Sequence, residues 1–124
     1  MATVDEVMSN DVLEVDEHAT LGGVARAIQA RNVGAAIVTG EDGAPVGIIT
    51  ERDLIRAVAA SRHPDQGQAG SWMTAEVVTV QCGTSVEDAA TLMLERNFRH
   101  LPVADGERLV GIVSIRDLLG HSRQ

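Results

Sequence analysis

Two short stretches each place a hydroxyl, a guanidinium and a carboxylate within one helical turn: Thr50-Glu51-Arg52-Asp53 and Ser114-Ile115-Arg116-Asp117. A hydroxyl residue followed three positions later by an acid, where a strand gives way to a helix, is the pattern of a capping box. Capping does not call for the arginines. Arg52 and Arg116 fall in the first turn, where the helix dipole is positive and a cation is disfavoured by a few tenths to ~1 kcal/mol. A locally unfavourable residue present twice, beside the free amides of a helix start, fits an anion that completes the site. An aspartate beside that anion can accept both hydroxyls of a ribose. Together these groups describe a place for a ribose phosphate, with plain helix capping as the competing account.

The elements that must position these residues also occur twice. Val46-Gly47-Ile48-Ile49 precedes the first stretch and Val110-Gly111-Ile112-Val113 the second. Upstream, Val7-Met8-Ser9 matches Trp72-Met73-Thr74, Ala25 matches Ala90, Arg31-Asn32 matches Arg96-Asn97 and Val38 matches Val103. The offset is 65 at Met8 and Met73 but 64 at Gly47 and Gly111, so one residue is lost in a turn between Val103 and Val110. The halves are two copies of one folding unit.

In the first copy Val12–Val15 reads as a short strand, Thr20 as a helix N-cap, and Leu21, Val24, Ala25 and Ile28 as an apolar helical stripe. The second copy gives a strand over 77–80, Ser85 as N-cap, and a stripe at Val86, Ala89, Ala90, Met93 and Leu94. Residues 35–38 and 101–104 then lead through Gly40-Glu41-Asp42-Gly43 and Asp105-Gly106 into return strands, which is a hairpin signal. A final helix begins at Thr50 or Ser114. Strand, helix, strand, strand, helix requires one parallel and one antiparallel pairing per half. Three short strands and two helices cannot cover both faces of a sheet alone, so each half needs the other. The boundaries read as repeat 1 over 1–60, a linker over 61–71 and repeat 2 over 72–124.

The 124 residues fit one compact module, 44% hydrophobic and 23% charged, with Trp72 and Phe98 as the only aromatics and therefore an aliphatic core. A net charge of −8 without a basic stripe argues against a phosphate backbone as partner. Two aromatics give little platform for stacking single strands. The single cysteine, Cys82, suits a reducing compartment, and the acidic start Thr3-Val4-Asp5-Glu6 shows neither a secretory signal nor a membrane span, so the expected location is cytoplasmic. His18, His63, His100 and His121 lack ligand spacing, so no metal is expected. Nothing pairs a nucleophile with a base, and an enzyme is the least favoured reading.

The duplicated unit, with Gly-Ile-Ile-Thr-Glu-Arg-Asp, Gly-Ile-Val-Ser-Ile-Arg-Asp and Phe98-Arg99-His100-Leu101-Pro102-Val103, closely resembles the tandem CBS-domain pair, or Bateman module, from about Val7 to Leu119. The resemblance implies an α/β (α+β) fold of two β-α-β-β-α repeats related by pseudo-twofold symmetry, binding without chemistry. It implies an adenosine ligand such as AMP, ADP, ATP or S-adenosylmethionine, no required cofactor, a homodimer, and an effector protein that receives the signal. By the same resemblance the ribose goes to Asp53 with Thr50 and to Asp117 with Ser114. The base pocket is lent by the other repeat: Ser9, Val12, Gly34 and Ala35 serve Asp117, and Thr74, Val77, Arg99 and His100 serve Asp53. Arg99-His100-Leu101-Pro102 stands where the first copy has Gly34-Ala35-Ala36-Ile37, so the two clefts should be unequal, the cationic one preferring phosphate-rich ligands. The rival of a different class is a structural homodimerisation module with vestigial clefts.

Overall fold

The computed structural model describes residues 2–60 and 63–122, without the side chains of residues 121 and 122. Of the expected segment boundaries, residues 1, 61, 62, 123 and 124 lie outside the described residues, as does the side chain of His121. The elements in order are α1 (Val4–Val7), β1 (Glu14–Asp16), α2 (Leu21–Arg31), β2 (Ala35–Thr39), β3 (Pro45–Thr50), α3 (Glu51–Ala59), α4 (Ala69–Trp72), β4 (Val80–Gln81), α5 (Val86–Arg96), β5 (His100–Asp105), β6 (Arg108–Ser114) and α6 (Ile115–Ser122).

The long helices begin and end as their sequences dictate. Thr20 Oγ1 accepts the Gly23 amide and Ser85 Oγ accepts the Asp88 amide, satisfying donors that the first turn leaves without partners. Both helices stop at an asparagine in the left-handed region, Asn32 with φ 53° and Asn97 with φ 57°, which accounts for the repeated Arg-Asn pair. The stripes are narrower than the sequence suggests. Leu21, Val24 and Ile28 are buried, and so are Val86, Ala89 and Met93, whereas Ala25 is exposed and Leu94 is 78% exposed. At 100° per residue Leu94 stands one step round the helix from Met93, past the edge of the buried face.

The sheets follow the expected pairing. β2 is central, parallel to β1 and antiparallel to β3, and β5 repeats this with β4 and β6. Both hairpins carry a register shift, between Val38 and Thr39 and between Val103 and Ala104. The first strands are shorter than expected, because Val12 and Val77 precede the paired residues rather than joining them.

The chain forms two compact units, Leu13–Val77 and Met1–Val12 with Val78–Gln124. The leading segment of each sequence repeat therefore packs in the unit built from the other repeat. In the unit of residues 13–77, α4 is anchored by the Ala69 amide on the Ala19 carbonyl and the Gly70 amide on the Glu17 carbonyl, both at 2.8 Å. Thr74 then exchanges backbone hydrogen bonds with Ile48 of β3. In the other unit Val4 of α1 is fully buried among Val86, Met93 and Leu101, a burial that stabilises by about 1.5–3 kcal/mol. Ser9 exchanges backbone hydrogen bonds with Ile112 of β6, as Thr74 does with Ile48.

These crossings explain the glycine of each Val-Gly-Ile run. A methyl group at Gly47 would fall on the Met73 sulfur and lie 2.6 Å from the Thr74 carbonyl oxygen; at Gly111 it would fall on the Met8 sulfur and lie 2.7 Å from the Ser9 carbonyl oxygen. Met8 and Met73, which match between the two copies, are the side chains that sit over these glycines. Gly47→Ala and Gly111→Ala should each lower stability in urea by about 1–3 kcal/mol, because backbone cannot yield as a side-chain tip can. Gly120→Ala, in α6 with nothing within 4 Å of the added carbon, should instead be neutral or gain up to ~1 kcal/mol.

Candidate functional site

In the unit of residues 13–77, β3 runs directly into α3, and Thr50 at the junction caps the helix. The Asp53 amide donates to Thr50 Oγ1 at 3.4 Å, while Asp53 Oδ2 accepts the Thr50 amide at 2.9 Å and the Thr50 hydroxyl at 3.2 Å. The capping account is thus realised in full. The other oxygen, Oδ1, accepts from Arg56 Nη1 at 2.9 Å in an ion pair one turn along the helix. Asp53 is 5% exposed, the buried charged residue of the described core. Arg52, next to it, is exposed.

The second unit repeats the junction with a different balance. Asp117 Oδ2 accepts the Ser114 amide at 2.8 Å and Ser114 Oγ accepts the Asp117 amide at 3.1 Å. Asp117 is half-buried rather than buried, and Arg116 is exposed. Among the described residues no side chain donates to Asp117 Oδ1.

Of the other expected site residues, each unit gathers its own set. Ala35 lies opposite Thr50 in the β2–β3 ladder, and the Gly34 carbonyl accepts the Glu51 amide at 3.1 Å, so both adjoin the Thr50–Asp53 junction. Thr74 is bridged to Ile48 in the same unit, and Val77 is half-buried at that unit's end. His100 lies opposite Ser114 in the β5–β6 ladder with its Nδ1 sealed from solvent, and the Arg99 carbonyl accepts the Ile115 amide at 2.9 Å. Ser9 is bridged to Ile112, and half-buried Val12 ends the segment that carries it. Gly34 and Ala35 therefore share a unit with Asp53, and Arg99 and His100 with Asp117.

Arg56 and Trp72 are functional candidates that sequence reading passed over. The Arg56 guanidinium carbon lies 5.9 Å from the centre of the Trp72 ring, a cation–π distance. The spacing of Asp53 and Arg56, three apart on one helix, was a readable sign of the ion pair; the contact with Trp72 is long-range and left no such sign. Cys82 is exposed, and its thiol is held above the ordinary range by desolvation and by the nearby carboxylates of Asp5 and Asp105, which disfavours the reactive thiolate. Asp5 in turn is held below the usual carboxylate range, chiefly because it accepts the Gly83 amide at 2.8 Å. Among the described residues no cluster of side chains is arranged to hold a metal ion.

The model of the CBS domain matches residues 4–60 and 69–123. The chain is 32% identical to a CBS domain protein from Pyrobaculum aerophilum solved in complex with AMP, with 99% of this chain and 100% of that one covered and a TM-score of 0.83. It is 25% identical to a CBS domain pair solved in complex with 5'-methylthioadenosine and S-adenosyl-L-methionine, over 98% of this chain and 99% of that one, at a TM-score of 0.85. A protein of Methanopyrus kandleri is 34% identical over 94% of the chain, which spans only 61% of that relative's length.

The geometry separates the structural weight of the two aspartates. Asp53→Ala removes the partner of two donors at the cap and of Arg56 from a buried position, and should cost about 1–3 kcal/mol in urea unfolding. Asp117→Ala removes one capping bond at a half-exposed position and should cost about 1 kcal/mol or less.

Proposed function

We propose that this chain, which belongs to the CBS-domain family, is a regulatory module that binds an adenosine nucleotide at its strand-to-helix junctions and passes the bound state to a partner protein. The ligand class is AMP, ADP, ATP or S-adenosylmethionine. The observation that carries the proposal is the division of labour in the Asp117 carboxylate: one oxygen caps the helix through Ser114, and the other has no protein donor among the described residues. That second oxygen takes the ribose hydroxyls, while exposed Arg116 and the first-turn amides face the phosphate. Ser9, Val12, Arg99 and His100 belong to the same unit as Asp117, and Thr74, Val77, Gly34 and Ala35 to the unit of Thr50, Arg52 and Asp53. The relatives with AMP and with S-adenosyl-L-methionine bound support the ligand class.

No catalytic step is assigned. The aliphatic surroundings suit a purine in a chain with few aromatics, and the net charge of −8 disfavours nucleic acid. No described helix is long and apolar enough to cross a membrane; the setting proposed for the module is cytoplasmic. Ile55 and Val58 on α3 are 68% and 69% exposed, and Leu119 on α6 is 55% exposed; apolar helix faces of this kind support a homodimer. A structural dimerisation module with vestigial clefts is the second reading, and the full commitment of Asp53 to capping and to Arg56 is the observation in its favour.

A thermal-shift panel of AMP, ADP, ATP, S-adenosylmethionine and NADH separates the two. A nucleotide at a hundred times its dissociation constant should add ~2.7 kcal/mol of stability. At micromolar to millimolar affinity, about −8 to −4 kcal/mol, one charge-assisted ribose bond of ~1.5–3 kcal/mol is a large share. Asp117→Ala should therefore weaken binding by roughly tenfold or more. A flat response across the panel contradicts the nucleotide reading and favours the structural one.

A further inference from the structure

We infer that Arg56 is a latch that withholds the Thr50–Asp53 junction from a ribose, leaving the Ser114–Asp117 junction as the one that takes the nucleotide; this rests on the adenosine-nucleotide reading above. A carboxylate that is to accept two ribose hydroxyls needs oxygen lone pairs facing outward. Asp53 accepts three donors and so keeps only about one of its roughly four lone-pair sites, fewer than two hydroxyls need. Its Oδ2 is occupied by the Thr50 amide and hydroxyl, and its Oδ1 by Arg56 Nη1 at 2.9 Å. The guanidinium carbon also lies 5.9 Å from the centre of the Trp72 ring. The Arg56 side chain is 60% exposed while that of Asp53 is 6% exposed, so the arginine reaches solvent and has room to be displaced outward.

The equivalent unit lacks both parts of this device. Counting from Asp53 to Asp117, the position of Arg56 is held by Gly120, and in the Val7-Met8-Ser9 match the position of Trp72 is held by Val7. A carbon added at Gly120 meets nothing within 4 Å, so the space a side chain would enter there is open. Asp117 consequently keeps an oxygen that no described residue engages, although its capping of Ser114 matches that of Asp53 with Thr50. The two junctions, alike in the residues that cap, differ in the one residue that blocks.

The test is calorimetric titration with AMP of the wild-type chain, Arg56→Ala, Arg56→Ala/Asp53→Ala and Gly120→Arg. The wild-type chain should bind one AMP. Arg56→Ala should bind two, and the added event should vanish in the double variant. Gly120→Arg, which places a guanidinium beside Asp117 at an open position, should weaken the wild-type event by roughly tenfold or more. Two AMP bound by the wild-type chain, no added event or weaker binding in Arg56→Ala, or unchanged affinity in Gly120→Arg would overturn the latch while leaving the nucleotide reading intact. If Arg56→Ala fails to fold, Gly120→Arg decides alone. Absence of binding in every variant would instead remove the nucleotide reading, and the latch with it.

Discussion

A strand that turns directly into a helix leaves amides at the junction without partners, and in this chain the aspartate that accepts the N-cap amide is also the residue that the nucleotide reading gives to a ribose. Thr50 with Asp53 and Ser114 with Asp117 exchange the same reciprocal hydrogen bonds. A carboxylate has two oxygens, so capping consumes one and leaves one. What happens to the remaining oxygen separates a helix end from a binding site. At Asp53 it meets Arg56; at Asp117 it meets no described donor. On the proposed reading, capping and binding are successive uses of one side chain rather than competing explanations of it.

The same economy holds in the placement of the junctions. Each is carried on a return strand whose glycine admits the backbone of a leading segment, Thr74 beside Ile48 and Ser9 beside Ile112. Removal of the side chain at Gly47 and Gly111 lets a methionine and a carbonyl approach where any other residue would push them off. The leading helix and the strand it crosses thus become part of one unit although they come from different sequence repeats. Residues far apart in the chain, such as Trp72 and Arg56, meet through this exchange.

The repeat, the long helices and the hairpins were legible because each leaves a local mark: an offset, a threonine or serine before an apolar stripe, an Asp-Gly turn. The shortest elements were not. α1 and α4 have four residues each, less than two turns, so no periodicity can announce them. Leu94 was misplaced because a stripe read from spacing alone does not fix its own edge. The paired carboxylates and arginines were legible in type and spacing, and so was the three-residue spacing of Asp53 and Arg56; the contact of that arginine with Trp72 was not, since the tryptophan is brought in by the exchanged segment.

The most direct measurement follows the backbone amides that the two aspartates hold. In an AMP titration monitored by amide chemical shifts, Ser114 and Asp117 should move with the ligand while Thr50 and Asp53 stay close to their free positions, because only Asp117 has an oxygen that no described donor engages. Immobility of all four amides under saturating nucleotide would contradict the account.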